Sequence, residues 1–165
     1  MKSQQQDLGT PIICPTETVI KDWIDYNGHL NMAFYNVIFD HALDYLYDYL
    51  GIGEAYAASG LGSCFVLEAH VHYISEIALG DEAEVKIQLV DHDTKRIHIF
   101  QEMYNKKEGY LAATSEQMGM HVDMTTRRSS PLPDHVQQKL SEIMSHHNTL
   151  AIPQQLGHRI GIKKR

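Results

Sequence analysis

Residues 25–31 read DYNGHLN, which places Asp25, Asn27, His29 and Asn31 at every second position of one short segment. A carboxylate can serve as general base or nucleophile, and an imidazole can hold or move a proton. Directly downstream the chain turns apolar, from Met32 to Leu50. The first turn of a helix carries unpaired N–H groups and a partial positive charge, which suit an oxygen that becomes negative during reaction. Asp25 would then supply the carboxylate, and the amides near Met32 and Ala33 would receive the oxyanion. The same residues also have a structural reading. Asp25 is a common turn former, Asn31 a preferred helix cap, and Gly28 a residue that tolerates backbone angles others resist. Residue types alone favour the turn for Asp25 and the cap for Asn31. His29 either orients Asp25 or a water, or holds the loop.

The elements that must position this segment follow from periodicity. Tyr35, Ile38, Phe39, Ala42, Leu43, Leu46 and Leu50 recur at three- and four-residue steps, so 32–50 is expected as a helix with Asn31 as its cap and Gly51 just past its end. Asn36, Asp40, Asp44 and Asp48 form a separate polar stripe, while further aromatic residues call for enclosure on more than one side. Residues 16–23 suggest a first strand. After residue 62 the period becomes two, with strands expected at 64–74, 83–90, 96–104 and 110–123, joined by turns at 79–81, 91–95 and 106–109. Short turns between successive strands imply an antiparallel meander, and a short amphipathic helix is expected at 133–144. One long helix and a sheet of this extent give an α+β fold, the sheet curved around the helix. The chain divides into a flexible leader (1–15), one domain (16–145) and a basic tail (146–165).

Glu68, His70 and His72 share one face of the 64–74 strand, where they either meet the helix start or lie on an exposed or interface face. The pair His70 and His72 lacks a convincing third ligand, so no metal is expected. The formal charge of −7, from 14 basic and 21 acidic residues, disfavours a nucleic-acid partner. No apolar run approaches the roughly 20 residues of a membrane span. The start of the chain has no signal-peptide pattern, and Cys14 and Cys64 show no disulfide or metal spacing. A soluble, cytoplasmic protein is expected.

The D-x-x-G-H-x-N loop running into a central helix, here Asp25, Gly28, His29 and Asn31, resembles the hotdog-fold acyl-CoA thioesterases of the 4-hydroxybenzoyl-CoA thioesterase-like superfamily. The related D-x-N-x-H-x-N run of plant acyl carrier protein thioesterases is matched by Asp25, Asn27, His29 and Asn31. YISE at 73–76, GDEAEV at 80–85 and RRSSPLP at 127–133 look like later family segments, so the resemblance covers about 16–145. It implies a hotdog fold and hydrolysis of acyl-CoA to free acid and CoA, with Asp25 as base or nucleophile and no cofactor beyond the CoA of the substrate. It also implies a homodimer joined edge to edge with sites between subunits, or a dimer of dimers. Arg127 and Arg128, ahead of Arg96 and Lys95, would meet the CoA phosphates.

A narrower resemblance, carried by WIDYNGHLNMAFYNVIFD and GHRIGI, is to the betainyl-CoA thioesterases of carnitine breakdown. A quaternary ammonium is bound by aromatic faces, and Trp23, Tyr26, Phe34, Tyr35 and Tyr73 are available for that, with Gly28 and Glu68 as further candidate binding residues. Two alternatives remain. One is a hotdog domain that binds acyl-CoA without turnover. The other is a hotdog enoyl-CoA hydratase, whose loop resembles D-x-N-P-x-H-x-D; the absence of proline before His29 disfavours it.

Overall fold

The computed structural model describes residues 10–162. The long helix, α1, spans Met32–Leu50, bounded as its end signals require: the Asn31 side chain accepts from the Ala33 N–H, and Gly51 takes a left-handed φ of 85°. Its apolar stripe is buried throughout, joined by Tyr47, while Asn36, Asp40, Asp44 and Asp48 stay exposed. A short helix, α2 (Glu54–Ala58), follows.

Two short strands, β1 (Ile12–Ile13) and β2 (Glu17–Thr18), precede α1. Four long strands come after it: β3 (Gly62–Tyr73), β4 (Glu82–His92), β5 (Arg96–Asn105) and β6 (Leu111–Asp123). A two-residue β7 (Arg128–Ser129) and the helix α3 (Asp134–His147) complete the elements. Every pairing is antiparallel. Ala83, Val85, Ile87 and Leu89 of β4 alternate into the core with Ile97, Ile99 and Met103 of β5. This face packs against α1, with Val136, Leu140 and Ile143 of α3 in the same cluster. No helix among the described residues is long and apolar enough to cross a membrane.

Three differences from the sequence reading have local causes. The sheet order is β1-β4-β5-β6-β3, so β4, β5 and β6 form the meander but β3 pairs with β6 instead of β4. Residues 74–81 therefore leave the sheet and pass beside the start of α1, where the Leu30 N–H donates to the Ile77 carbonyl at 2.8 Å. The expected leader is partly structured. Residues 1–9 lie outside the described ones, but Ile12 and Ile13 pair along the edge of β4, which buries Ile12 and Cys14. The strand expected at 16–23 is cut to two residues, because Lys21–Trp23 turns as a 3-10 helix.

The basic segment after 146 also packs, apart from 163–165, which lie outside the described residues. His146 and His147 complete α3. The chain then crosses the outer face of the sheet to β3, where His158 stacks near His70 and His72 (ring centroids 5.7 and 5.1 Å) and the Gly157 N–H donates to Glu116 at 2.7 Å.

His147 ties the end of α3 to β4 and to the start of the described chain. Its Nδ1 accepts from the Leu89 N–H at 2.8 Å, and its Nε2 donates to the Thr10 carbonyl at 3.2 Å. Burial holds this imidazole below its ordinary pKa, so the folded ring stays neutral where the unfolded chain would take a proton. The contribution is complete at neutral pH and is lost as pH falls through about 6.5 toward the depressed folded value. Thermal melts between pH 7.5 and 5.5 should show a smaller loss of Tm for His147→Gln, whose amide does not titrate, than for the wild type.

Candidate active site

The loop ahead of α1 is a closed turn. Ile24 bridges Leu30, the Asp25 N–H donates to the His29 carbonyl at 3.0 Å, and the Gly28 N–H donates to the Asp25 carbonyl at 3.0 Å. Gly28 sits at φ 89°, which a side chain would strain. The Asp25 carboxylate accepts from the Asn27 N–H at 2.7 Å and more weakly from its Nδ2 at 3.4 Å. Asp25 is thus a turn former, as its residue type suggested, and its side chain, 13% exposed, also faces His29.

A cavity of about 330 Å³ opens at this point, lined by Asp25, His29 and Met32 with Tyr35, Tyr73 and the 74–76 segment. His29 stands between two carboxylates. Its Nδ1 is 4.0 Å from Asp25 and its Nε2 3.7 Å from Glu76. Glu76, 78% exposed, lines the cavity beside His29. The wall is made rigid by two tyrosines meeting edge to face at 5.3 Å. The Tyr35 hydroxyl donates to the Ser75 carbonyl at 3.3 Å and accepts from the Ile77 N–H at 3.2 Å. The Tyr73 hydroxyl donates to the Met32 carbonyl at 3.3 Å and accepts from Asn36 Nδ2 at 3.2 Å. Burial raises the Tyr35 hydroxyl above its usual range, so it stays protonated. Cys14 and Cys64 are pushed up to about 12 by burial and offer no thiolate at neutral pH.

The sequence candidates separate into those gathered here and those placed elsewhere. Asp25, His29, Met32 and Tyr35 line the cavity; Asn27 and Asn31 support the loop through Asp25 and the helix end. The Ala33 amide is committed to the Asn31 cap at 2.9 Å, so it is not a free oxyanion donor. The Met32 N–H has no partner among the described residues. Trp23 does not line the cavity but stacks on Phe34 at 5.6 Å, and Tyr26 is 98% exposed. Of the five aromatic candidates, Tyr35 and Tyr73 alone line it. Glu68 lies on the outer face in a separate cavity with His70, His98 and Glu116. Arg127, its guanidinium 5.5 Å over the Phe65 ring, and Arg128 are near the opposite end of β3. Sequence reasoning missed Glu76, although its YISE segment was in view. Among the described residues no group of three or more His, Cys, Asp or Glu side chains is arranged to hold a metal ion.

An antiparallel sheet carrying one long helix, with a cleft at the helix start, is the hotdog fold. The chain belongs to the thioesterase-like superfamily, whose family model matches residues 19–140, and it is a thioester hydrolase. It is 36% identical over 144 residues to the betainyl-CoA thioesterase of Pseudomonas aeruginosa, covering 87% of this chain and 91% of that protein. Among solved structures it is similar to a Staphylococcus aureus protein in complex with CoA (TM-score 0.85, 34% identity, 90% of this chain and 94% of that one). It is also similar to a putative thioesterase of Pseudomonas putida (TM-score 0.81, 34% identity, 93% and 98%).

Asn31 is the residue on which the helix start depends. Asn31→Ala should cost about 1 kcal/mol and lower Tm by roughly 2–4 °C, while Asn31→Ser keeps most of the cap. Differential scanning calorimetry of the two variants checks this.

Proposed function

We propose that the chain hydrolyses acyl-CoA thioesters to free acid and CoA, with betainyl-CoA as the preferred substrate. The observation that carries the chemistry is the convergence of Asp25, His29 and Met32 on one cavity at the helix start, with the Met32 N–H unpartnered among the described residues. The betainyl group is supported by the similarity to the Pseudomonas aeruginosa betainyl-CoA thioesterase, and CoA further by the CoA-bound Staphylococcus aureus relative.

With a water beside Asp25, the carboxylate takes its proton as the water oxygen bonds to the thioester carbon. The carbonyl electrons move onto oxygen, where the Met32 N–H and the helix dipole stabilise the charge. Collapse breaks the C–S bond, and the CoA thiolate leaves with the proton from Asp25. His29, held between Asp25 and Glu76, orients the carboxylate. Direct attack by Asp25 would use the same geometry through an anhydride, and labelled water would then put ¹⁸O into Asp25.

One subunit leaves the site incomplete. β3 is an edge strand with exposed Phe65, Val66 and Leu67, the kind of edge that pairs with another strand. Two copies joined antiparallel along β3 form a homodimer with a continuous sheet. Tyr73 and Phe65 lie roughly 26 Å apart at about 3.3 Å per residue. Pairing centred near Ala69 sets Tyr73 opposite the partner's Phe65. The partner's Arg127 and the partner's Arg128 then approach the cavity mouth and meet the CoA phosphates.

Thiol release followed over an acyl-CoA panel tests this reading. Asp25→Asn should lower kcat by about 100-fold or more at unchanged Tm, within the range of a lost general base. Equal release by wild type and variant would remove Asp25 from the chemistry, and binding without release would make this a ligand-binding domain. Glu76→Gln should lower kcat by about tenfold with KM little changed, and light scattering should give twice the chain mass.

A further inference from the structure

Residues 74–78, which bring Glu76 to His29, belong to no helix or strand, so no ladder fixes their backbone. The polar groups of an irregular segment still need partners, and here two phenols supply them. From α1, the Tyr35 hydroxyl donates to the Ser75 carbonyl and accepts from the Ile77 N–H. From the turn ahead of β6, the Tyr110 hydroxyl donates to the Glu76 carbonyl at 2.6 Å. Tyr110 is itself aimed. Asn105, buried at the end of β5, donates from Nδ2 to the Tyr110 hydroxyl oxygen at 3.2 Å. A phenol has one proton, and an oxygen that accepts from Asn105 turns that proton toward Glu76. The rest of Asn105 closes the same turn. Its N–H donates to the Tyr110 carbonyl at 3.0 Å, its carbonyl accepts from the Gly109 N–H at 2.8 Å, and its Oδ1 accepts from the Glu108 N–H at 3.0 Å.

We infer that Tyr110, aimed by Asn105, is a positioning residue for hydrolysis: it sets the backbone of Glu76 so that the carboxylate stands beside His29, 3.7 Å from Nε2. The inference rests on the hydrolase reading above and extends it to a residue that is not part of the cavity lining. The two phenols differ in what their loss does. Tyr35 is buried, and without its hydroxyl the Ile77 N–H is stranded, which lowers stability. Tyr110 is 36% exposed, so water can take over the Glu76 carbonyl and the fold tolerates the change. The direction of that carbonyl is then no longer set. A displacement in the groups that support a site is enough to slow its reaction.

The test is a double-mutant cycle on thiol release, with the fastest acyl-CoA of the panel. Tyr110→Phe should lower kcat about fivefold, with KM little changed and Tm within about 2 °C of the wild type. In the Glu76→Gln background the same substitution should change kcat by less than about 1.5-fold, because no carboxylate is left to position. A merely structural role would carry the full loss into that background, and this additive result overturns the inference. So does an unchanged kcat in Tyr110→Phe alone, or a fall in Tm large enough to account for the lost rate. In each of these cases the hydrolase reading stands. A Glu76→Gln enzyme as fast as the wild type removes Glu76 from the reaction and this inference with it. Thiol release from no acyl-CoA overturns the hydrolase reading itself.

Discussion

The capping of α1 by Asn31 governs the rest of the site. A helix start exposes several N–H groups, and the cap decides which of them are spent. Here Asn31 takes the Ala33 amide and leaves that of Met32 without a partner among the described residues. The same residue receives the chain from the loop, its N–H bonded to the Trp23 carbonyl at 2.9 Å, which closes the turn holding Asp25 and His29. One side chain thus caps the helix and one backbone N–H closes the loop, so the helix start and the Asp25 carboxylate are held in register.

The remaining architecture holds that helix end still. Tyr35 is gripped from both sides by Ser75 and Ile77, and Tyr73 bonds the Met32 carbonyl. These contacts are possible only because β3 pairs with β6 and its connection to β4 detours past the helix. The detour delivers Glu76 to His29. A simple hairpin between β3 and β4 would have turned the chain back before it reached the loop.

Much of this was legible in the sequence, and for identifiable reasons. The bounds of α1 could be read because a side-chain cap and a left-handed glycine are local signals written into neighbouring residues. The strands could be read from alternation. Alternation reports which face is buried but not which strand lies alongside, so the position of β3 stayed hidden. Glu76 was hidden for a related reason: its meeting with His29 crosses 47 positions and depends on that same strand order. Asp25 shows the reverse. Its turn-forming role is plain in the fold, where its carboxylate accepts from Asn27, and the same residue lines the cavity.

The clasp between Thr10 and His147 has a bearing on synthesis. The two groups are 137 positions apart, so β1 can pair along β4 long before the residue that locks its approach has been made. At about 5–20 residues per second, several seconds separate those events on the ribosome. During that interval the core around β4 is held without its last fastening, and final closure waits for α3 to emerge. The contact between Thr10 and His147 therefore closes only after α3 has emerged.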